Sequence, residues 1–204
     1  MRILFGQSAE NRMKWATFKR LTSMFLVNHF FAGTKAFKMK NRLLRMAGYD
    51  IGEGTKVVGP LFVSTQLHIG SNCWIGKNFT CNGNGSVAIG DRCDIGPEVT
   101  FQTGGHQIGS PSRRAGEGRI FTQKVGDGTW IGGRATILGE TAVGQSCVVA
   151  GCACVTKDTG DNVLVGWVPA KIIRQLDSGQ PKSASENNVE DSNVENASGN
   201  GTGK

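Results

Sequence analysis

An apolar, mostly β-branched residue recurs every six positions from Ile51. The series runs Ile51, Val57, Val63, Ile69, Ile75 and Cys81, then after two extra residues Ile89, Ile95 and Phe101. After a longer break it resumes at Val125, Ile131, Ile137, Val143, Val149 and Val155. The next residue is Gly in eight of these fifteen places: Gly52, Gly70, Gly76, Gly90, Gly96, Gly126, Gly132 and Gly144. Four places after the apolar residue stands a mostly small group, as at Thr55, Cys73, Cys93, Val99, Thr129, Ala135, Thr141, Cys147 and Ala153. Gly or Asn recurs three places after it, at Gly54, Asn72, Asn78, Asn84, Gly104 and Gly128, and both tolerate the positive φ of a sharp corner. A helix would not carry Gly at this frequency. Each hexad therefore reads as one short strand and one corner. Three hexads make a coil of 18 residues, and stacked coils make parallel ladders around an apolar interior. The prediction is an all-β solenoid over 51–169 of about five coils, roughly 24 Å tall at the ~4.8 Å strand spacing.

The repeat is interrupted once. The hexad Phe101–His106 completes itself, and residues 107–124 then leave the prism as an inserted polar, Gly-rich loop. A loop of that length on a regular scaffold is most often functional, although a tolerated insertion has the same composition. His106 stands at its root behind two glycines. Histidine's ordinary pKa of about 6.5 suits proton abstraction at neutral pH, which makes His106 a candidate general base beside the alternative of an incidental surface residue. Glu98, Asp94 and Glu117 are equal candidates to orient it.

The ends differ from the middle. In residues 12–31, Trp15, Phe18, Leu21 and Phe25 share a helical spacing; in 35–47, Ala36, Met39, Leu43 and Met46 form one face and Lys35, Lys38, Arg42 and Arg45 another. Residues 1–50 thus read as a basic amphipathic helical cap for the open end of the solenoid, or as a segment that docks through 12–47 on an anionic membrane surface. The stretch 170–176 reads as a short helix and 177–204 as a disordered tail. The uncharged run Leu21–Thr34 is too short and too polar to span a bilayer.

Composition sharpens this picture. Gly accounts for 30 of 204 residues and Pro for 5, as a Gly-requiring turn repeat demands. The formal charge is +7, but residues 1–50 alone carry ten basic and two acidic groups. Residues 51–176 carry eleven and nine, so the repeat gives no support to nucleic-acid binding. The six cysteines match no zinc module; the repeat explains at least three of them as small core residues, and reduced thiols point to the cytoplasm. A carbonic anhydrase-like zinc site is excluded, because His68 and His106 fall two coils apart, roughly 9–10 Å.

The stretch VTFQTGGH, the long loop and VGDGTWIGGRATILGETAVGQSCVVAGCACVTKD resemble the hexapeptide-repeat acyltransferases, in particular the galactoside, maltose and polysaccharide O-acetyltransferases, over about residues 69–176. That resemblance implies a left-handed parallel β-helix, a homotrimer with active sites between subunits, and acetyl-CoA as acyl donor without a metal. It implies His106 as the catalytic base and Asn82, with Asn84 as rival, and Trp130 as acceptor-binding residues. The cofactor positions it implies are Gly133, Gly151, Thr156, Lys157, Lys171 and Arg174. Trp167 stands where a glycine is common before V-P-A, and Glu140 replaces a usual glycine. The implied reaction is direct O-acetylation of a sugar, nucleotide-sugar or lipid-linked glycan precursor for polysaccharide biosynthesis, at the inner membrane surface or in the cytoplasm. Serine acetylation, amino-sugar N-acetylation and a non-catalytic scaffold are the alternatives.

Overall fold

In the computed structural model, which describes residues 9–178, the hexads form the stacked coils that their periodicity predicts, with the left hand that the resemblance implies and about six turns in place of the five expected. The first face stacks Asp50–Ile51, Gln66–Ile69, Ser86–Ile89, Thr122–Val125 and Thr141–Val143. The second stacks Lys56–Val57, Trp74–Ile75, Asp94–Ile95, Trp130–Ile131, Val148–Val149 and Val163–Gly166. The third stacks Leu61–Val63, Phe79–Asn82, Thr100–Gln102, Thr136–Leu138 and Cys154–Val155. Trp130 lies beside Val148, one 18-residue coil later. The final coil is shorter, with Val148 beside Leu164, so it drops out of the six-residue count that ends at Val155.

Alternation builds the core. Ile69, Ile75, Ile89, Ile95, Ile131 and Ile137 are fully buried, and each contributes about 1.5–3 kcal/mol. The small series from Thr55 to Ala153 is buried throughout, where a larger side chain would meet the opposite wall. Gly54, Asn72, Asn78 and Gly128 take positive φ as expected, whereas Asn84 and Gly104 do not. The glycine after the apolar residue has a different reason: a methyl group at Gly144 would overlap the carbonyl oxygen of Gly160 in the coil above.

The N-terminal segment closes the solenoid with hydrogen-bond donors as well as apolar groups. The first coil leaves a row of backbone groups without a ladder below it. Arg45 donates to Ile51 O, Asn41 to Thr55 O at 2.7 Å, and Lys40 to Val58 O at 3.1 Å. Asn28 donates to Leu61 O and accepts from Leu61 N, while Arg20 and Tyr49 both donate to Val63 O. These donors come from α1 (Ala9–His29), α2 (Phe37–Met46) and the turn after it. The helical faces differ from those expected. In α2, Lys40, Asn41, Leu43 and Leu44 are buried and Met39 and Met46 are exposed, because two polar side chains are needed at the open edge. In α1, Ser23 and Val27 face inward, and the stripe of Trp15, Phe18, Leu21 and Phe25 faces away from the solenoid.

Two further boundaries move. Residues 170–176 are not a helix: Lys171–Gln175 is a strand antiparallel to Val163–Gly166. It covers the open edge of the last parallel strand, and the β-branched pair Ile172-Ile173 suits it. The inserted loop is not 107–124. The chain leaves the third face after Thr103, forms an antiparallel hairpin of Gly104–Ile108 and Ala115–Ile120, and has rejoined the first face by Thr122. Residues 179–204, expected to be disordered, lie outside the described residues.

Candidate active site

The hairpin springs from the corner between the third and first faces and carries His106 on its outgoing strand, opposite Gly118. His106 therefore belongs to no coil and shares no repeat position with His68, whose ring bonds Asp50 Oδ2 at 2.7 Å on the first face. The His106 Nδ1 lies 2.9 Å from the carbonyl oxygen of Gly116. A carbonyl only accepts, so Nδ1 carries the proton and the neutral ring keeps its lone pair on Nε2. That is the tautomer a general base requires. The orienting group is thus a backbone carbonyl of the returning strand rather than any of the three carboxylates considered. Glu98 is instead held by Arg134 Nε at 2.8 Å.

The root of the hairpin is anchored by Gln123, which the sequence did not single out, and by Glu140, which it did. Gln123 is fully buried at the inward position held by Leu67, Val87 and Thr141 on the same face. Its amide donates to Gln102 O at 3.1 Å, Ile137 O at 3.1 Å and Gly139 O at 2.9 Å, and its Oε1 has no partner. Glu140 accepts a bond from Thr122 N at 2.9 Å, where the chain re-enters the coil. This gives a physical role to a carboxylate standing in place of a glycine. A polar residue two places before Val125 was the available signal for Gln123.

The same corner gathers part of the expected site. Asn82 ends a third-face strand one coil below Gln102, and its carbonyl accepts from both Thr103 N at 2.8 Å and Thr103 Oγ1 at 2.9 Å. Its side chain is exposed on the outside. Thr156 and Lys157 follow the last third-face strand at the same corner, two coils above Gln102, and both are exposed. The others lie elsewhere. Gly133 and Gly151 stack at the corner between the second and third faces, where Cys152 N donates to Gly133 O at 3.0 Å. Trp130 points outward from the second face, 55% exposed. Lys171 and Arg174 lie on the strand along the upper edge of that face. In a three-sided prism the second face is opposite the hairpin's corner, so one chain does not bring Trp130 to His106.

A covalent acyl-cysteine has no support in the coil beneath. Cys81 is fully buried, and burial pushes its thiol pKa far above the ordinary value. Among the described residues no group of three or more metal-ligating side chains converges.

Comparison with known proteins adds the chemistry that the geometry leaves open. Galactoside O-acetyltransferase of Escherichia coli K12 is 30% identical over 157 residues, which is 76% of this chain and 76% of the relative. The chain belongs to that family. It is an acetyltransferase built on the hexapeptide repeat, and the scaffold reading is set aside. A hexapeptide-repeat acetyltransferase of Vibrio cholerae superposes with a TM-score of 0.69 at 26% identity, covering 84% of this chain and 95% of its own. The same Vibrio protein in complex with acetyl-coenzyme A gives a TM-score of 0.64 at 24% identity, covering 86% and 94%. No protein-family model matches the chain.

Proposed function

We propose that this family member transfers the acetyl group of acetyl-CoA directly to a hydroxyl of a sugar or glycan precursor, with His106 as general base. The observation that carries the reading is the Nδ1 bond to Gly116 O, which leaves Nε2 as the free ring nitrogen on an exposed hairpin. Nε2 takes the hydroxyl proton as the acceptor oxygen attacks the thioester carbonyl. The C–S bond then breaks, and the imidazolium returns its proton to the departing CoA thiolate. Asn82 orients the acceptor from the same corner.

The donor draws on the opposite set and on Thr156 and Lys157 of the hairpin's corner. A Cβ at Gly133 or Gly151 would sit 3.2 Å from a carbonyl oxygen, so the missing side chains leave that corner's backbone open to a narrow pantetheine arm. Lys157, Lys171 and Arg174 are exposed cations that would answer the nucleotide phosphates, and Thr156 would add a hydroxyl. The base stands at one corner, while Trp130, Gly133 and Gly151 stand on the opposite face and its far corner. This separation supports a homotrimer in which the hairpin of one copy meets the second face of the next. The buried, unpaired thiols support a cytoplasmic setting, and the likeness to galactoside O-acetyltransferase supports a role in carbohydrate or polysaccharide synthesis.

The test is release of the CoA thiol from acetyl-CoA with sugars, nucleotide-sugars, lipid-linked glycan precursors, amino sugars and serine as acceptors. Turnover with hydroxyl sugars is expected. Acetylation of serine alone, or only of an amino group, overturns the acceptor class, and acetyl-CoA that neither binds nor turns over overturns the donor.

A further inference from the structure

The outward face of α1 is unlike the surface of a helix that ends at water. Trp15, Phe18, Leu21 and Phe25 are 54%, 56%, 65% and 53% exposed, and Phe30 beyond them is 70% exposed. The opposite face of the same helix is already spent on the solenoid, with Val27 and Ser23 buried and Arg20 and Asn28 bonded to the first coil. One side of the helix is therefore satisfied by the solenoid through mostly polar groups, and the apolar stripe on the other side has no such cover. The stripe from Trp15 to Phe25 runs roughly 15 Å. It is held in place by the cap, so presenting it costs no folding.

Charge decides what covers it. From Met13 to its end at His29 the helix has Lys14, Lys19 and Arg20 and no acidic residue, its one carboxylate being Glu10 in the first turn. Lys14 and Lys19 are exposed beside the stripe, with the Lys19 ammonium 5.6 Å from the centre of the Trp15 ring. Lys35, Lys38 and Arg42 add exposed cations from the following turn and α2. A second copy of this surface would bring like charges together, which disfavours self-pairing. No described helix is long and apolar enough to cross a membrane. Aromatic and aliphatic groups in a row, bordered by lysines, match a helix that lies in the interface of an anionic bilayer.

We propose that α1 docks this protein on an anionic lipid surface through Trp15, Phe18, Leu21 and Phe25, with Lys14 and Lys19 against the headgroups. The inference stands on the helix alone and does not depend on the transferase chemistry.

The experiment is co-sedimentation of the full chain with vesicles of phosphatidylcholine alone and of equal parts phosphatidylcholine and phosphatidylglycerol, beside the variant Phe18→Ser/Leu21→Ser/Phe25→Ser. These side chains point away from the solenoid, so the variant should keep the circular dichroism and melting temperature of the parent. We expect the parent to pellet with the anionic vesicles, less at 0.5 M salt, and the variant's partition coefficient to fall by at least about tenfold. A folded parent that stays in the supernatant, or a variant that pellets equally, overturns the proposal. So does a variant whose oligomeric mass by light scattering drops below the parent's, because the stripe would then belong between copies.

Discussion

Gln123 links the fold to the site, and its replacement gives a worked test. Gln123→Leu keeps nearly the same volume but removes both amide N–H donors, shared among the carbonyls of Gln102, Ile137 and Gly139. Each of the three lost bonds costs about 1 kcal/mol. Removing the unpartnered Oε1 returns about 1 kcal/mol. The net loss should be about 2 kcal/mol, or roughly 4–8 °C in melting temperature for a chain of this size. The carbonyls of Gln102 and Gly139 flank the root of the hairpin, so the loss should be local as well as global. Limited trypsin digestion should cut faster at Arg113, Arg114 and Arg119, which are exposed on the hairpin. A melting temperature within 1 °C of the parent and an unchanged digestion pattern would refute the anchoring role.

Other substitutions test separate parts of the account. Burial lowers the pKa of Lys40 to about 8. Between about pH 8 and 10.5 the unfolded chain holds a proton there that the folded chain does not, so stability rises with pH across that window and is level below it. Lys40→Met should remove this rise in urea-unfolding midpoints measured from pH 7 to 10, and an unchanged slope contradicts the assignment. Gly144→Ala, whose methyl group would overlap Gly160 O, should abolish soluble folded protein or lower its melting temperature by more than 10 °C, whereas Gly118→Ala, with open space around it, should stay within 1 °C. Trp167 is 71% exposed with φ at 81°, a region that disfavours bulky side chains. Trp167→Gly should hold stability or raise it by up to about 1 kcal/mol, and a loss greater than that in thermal melts would show that the indole packs.

The solenoid was legible because its period is imposed by geometry: every inward position must be filled each coil, and Ile69, Ile89 and Ile131 say so directly. The hairpin's limits were not, because Gln123 places a polar side chain where the period expects an apolar or small one. The last coil was hidden by its two missing residues. Hydrophobicity does not mark the buried faces of α1 and α2. At the open end the demand is for donors, which Arg20, Asn28, Lys40, Asn41 and Arg45 supply. His106 was found by its place at the break in the repeat and by a family resemblance. Its orienting partner was invisible, since a backbone carbonyl leaves no mark in a side-chain sequence. Trp130 and the glycine pair were named together with His106, but their opposite placement is a property of the winding.

In the proposed mechanism the His106 imidazole removes the acceptor's proton. The most direct measurement is kcat for acetyl transfer by His106→Asn, with the dissociation constant for acetyl-CoA measured in parallel. Asn is close in size and lacks the basic nitrogen. In this variant kcat should fall by roughly 10²–10⁴-fold with acetyl-CoA affinity unchanged. Turnover within twofold of the parent would contradict it.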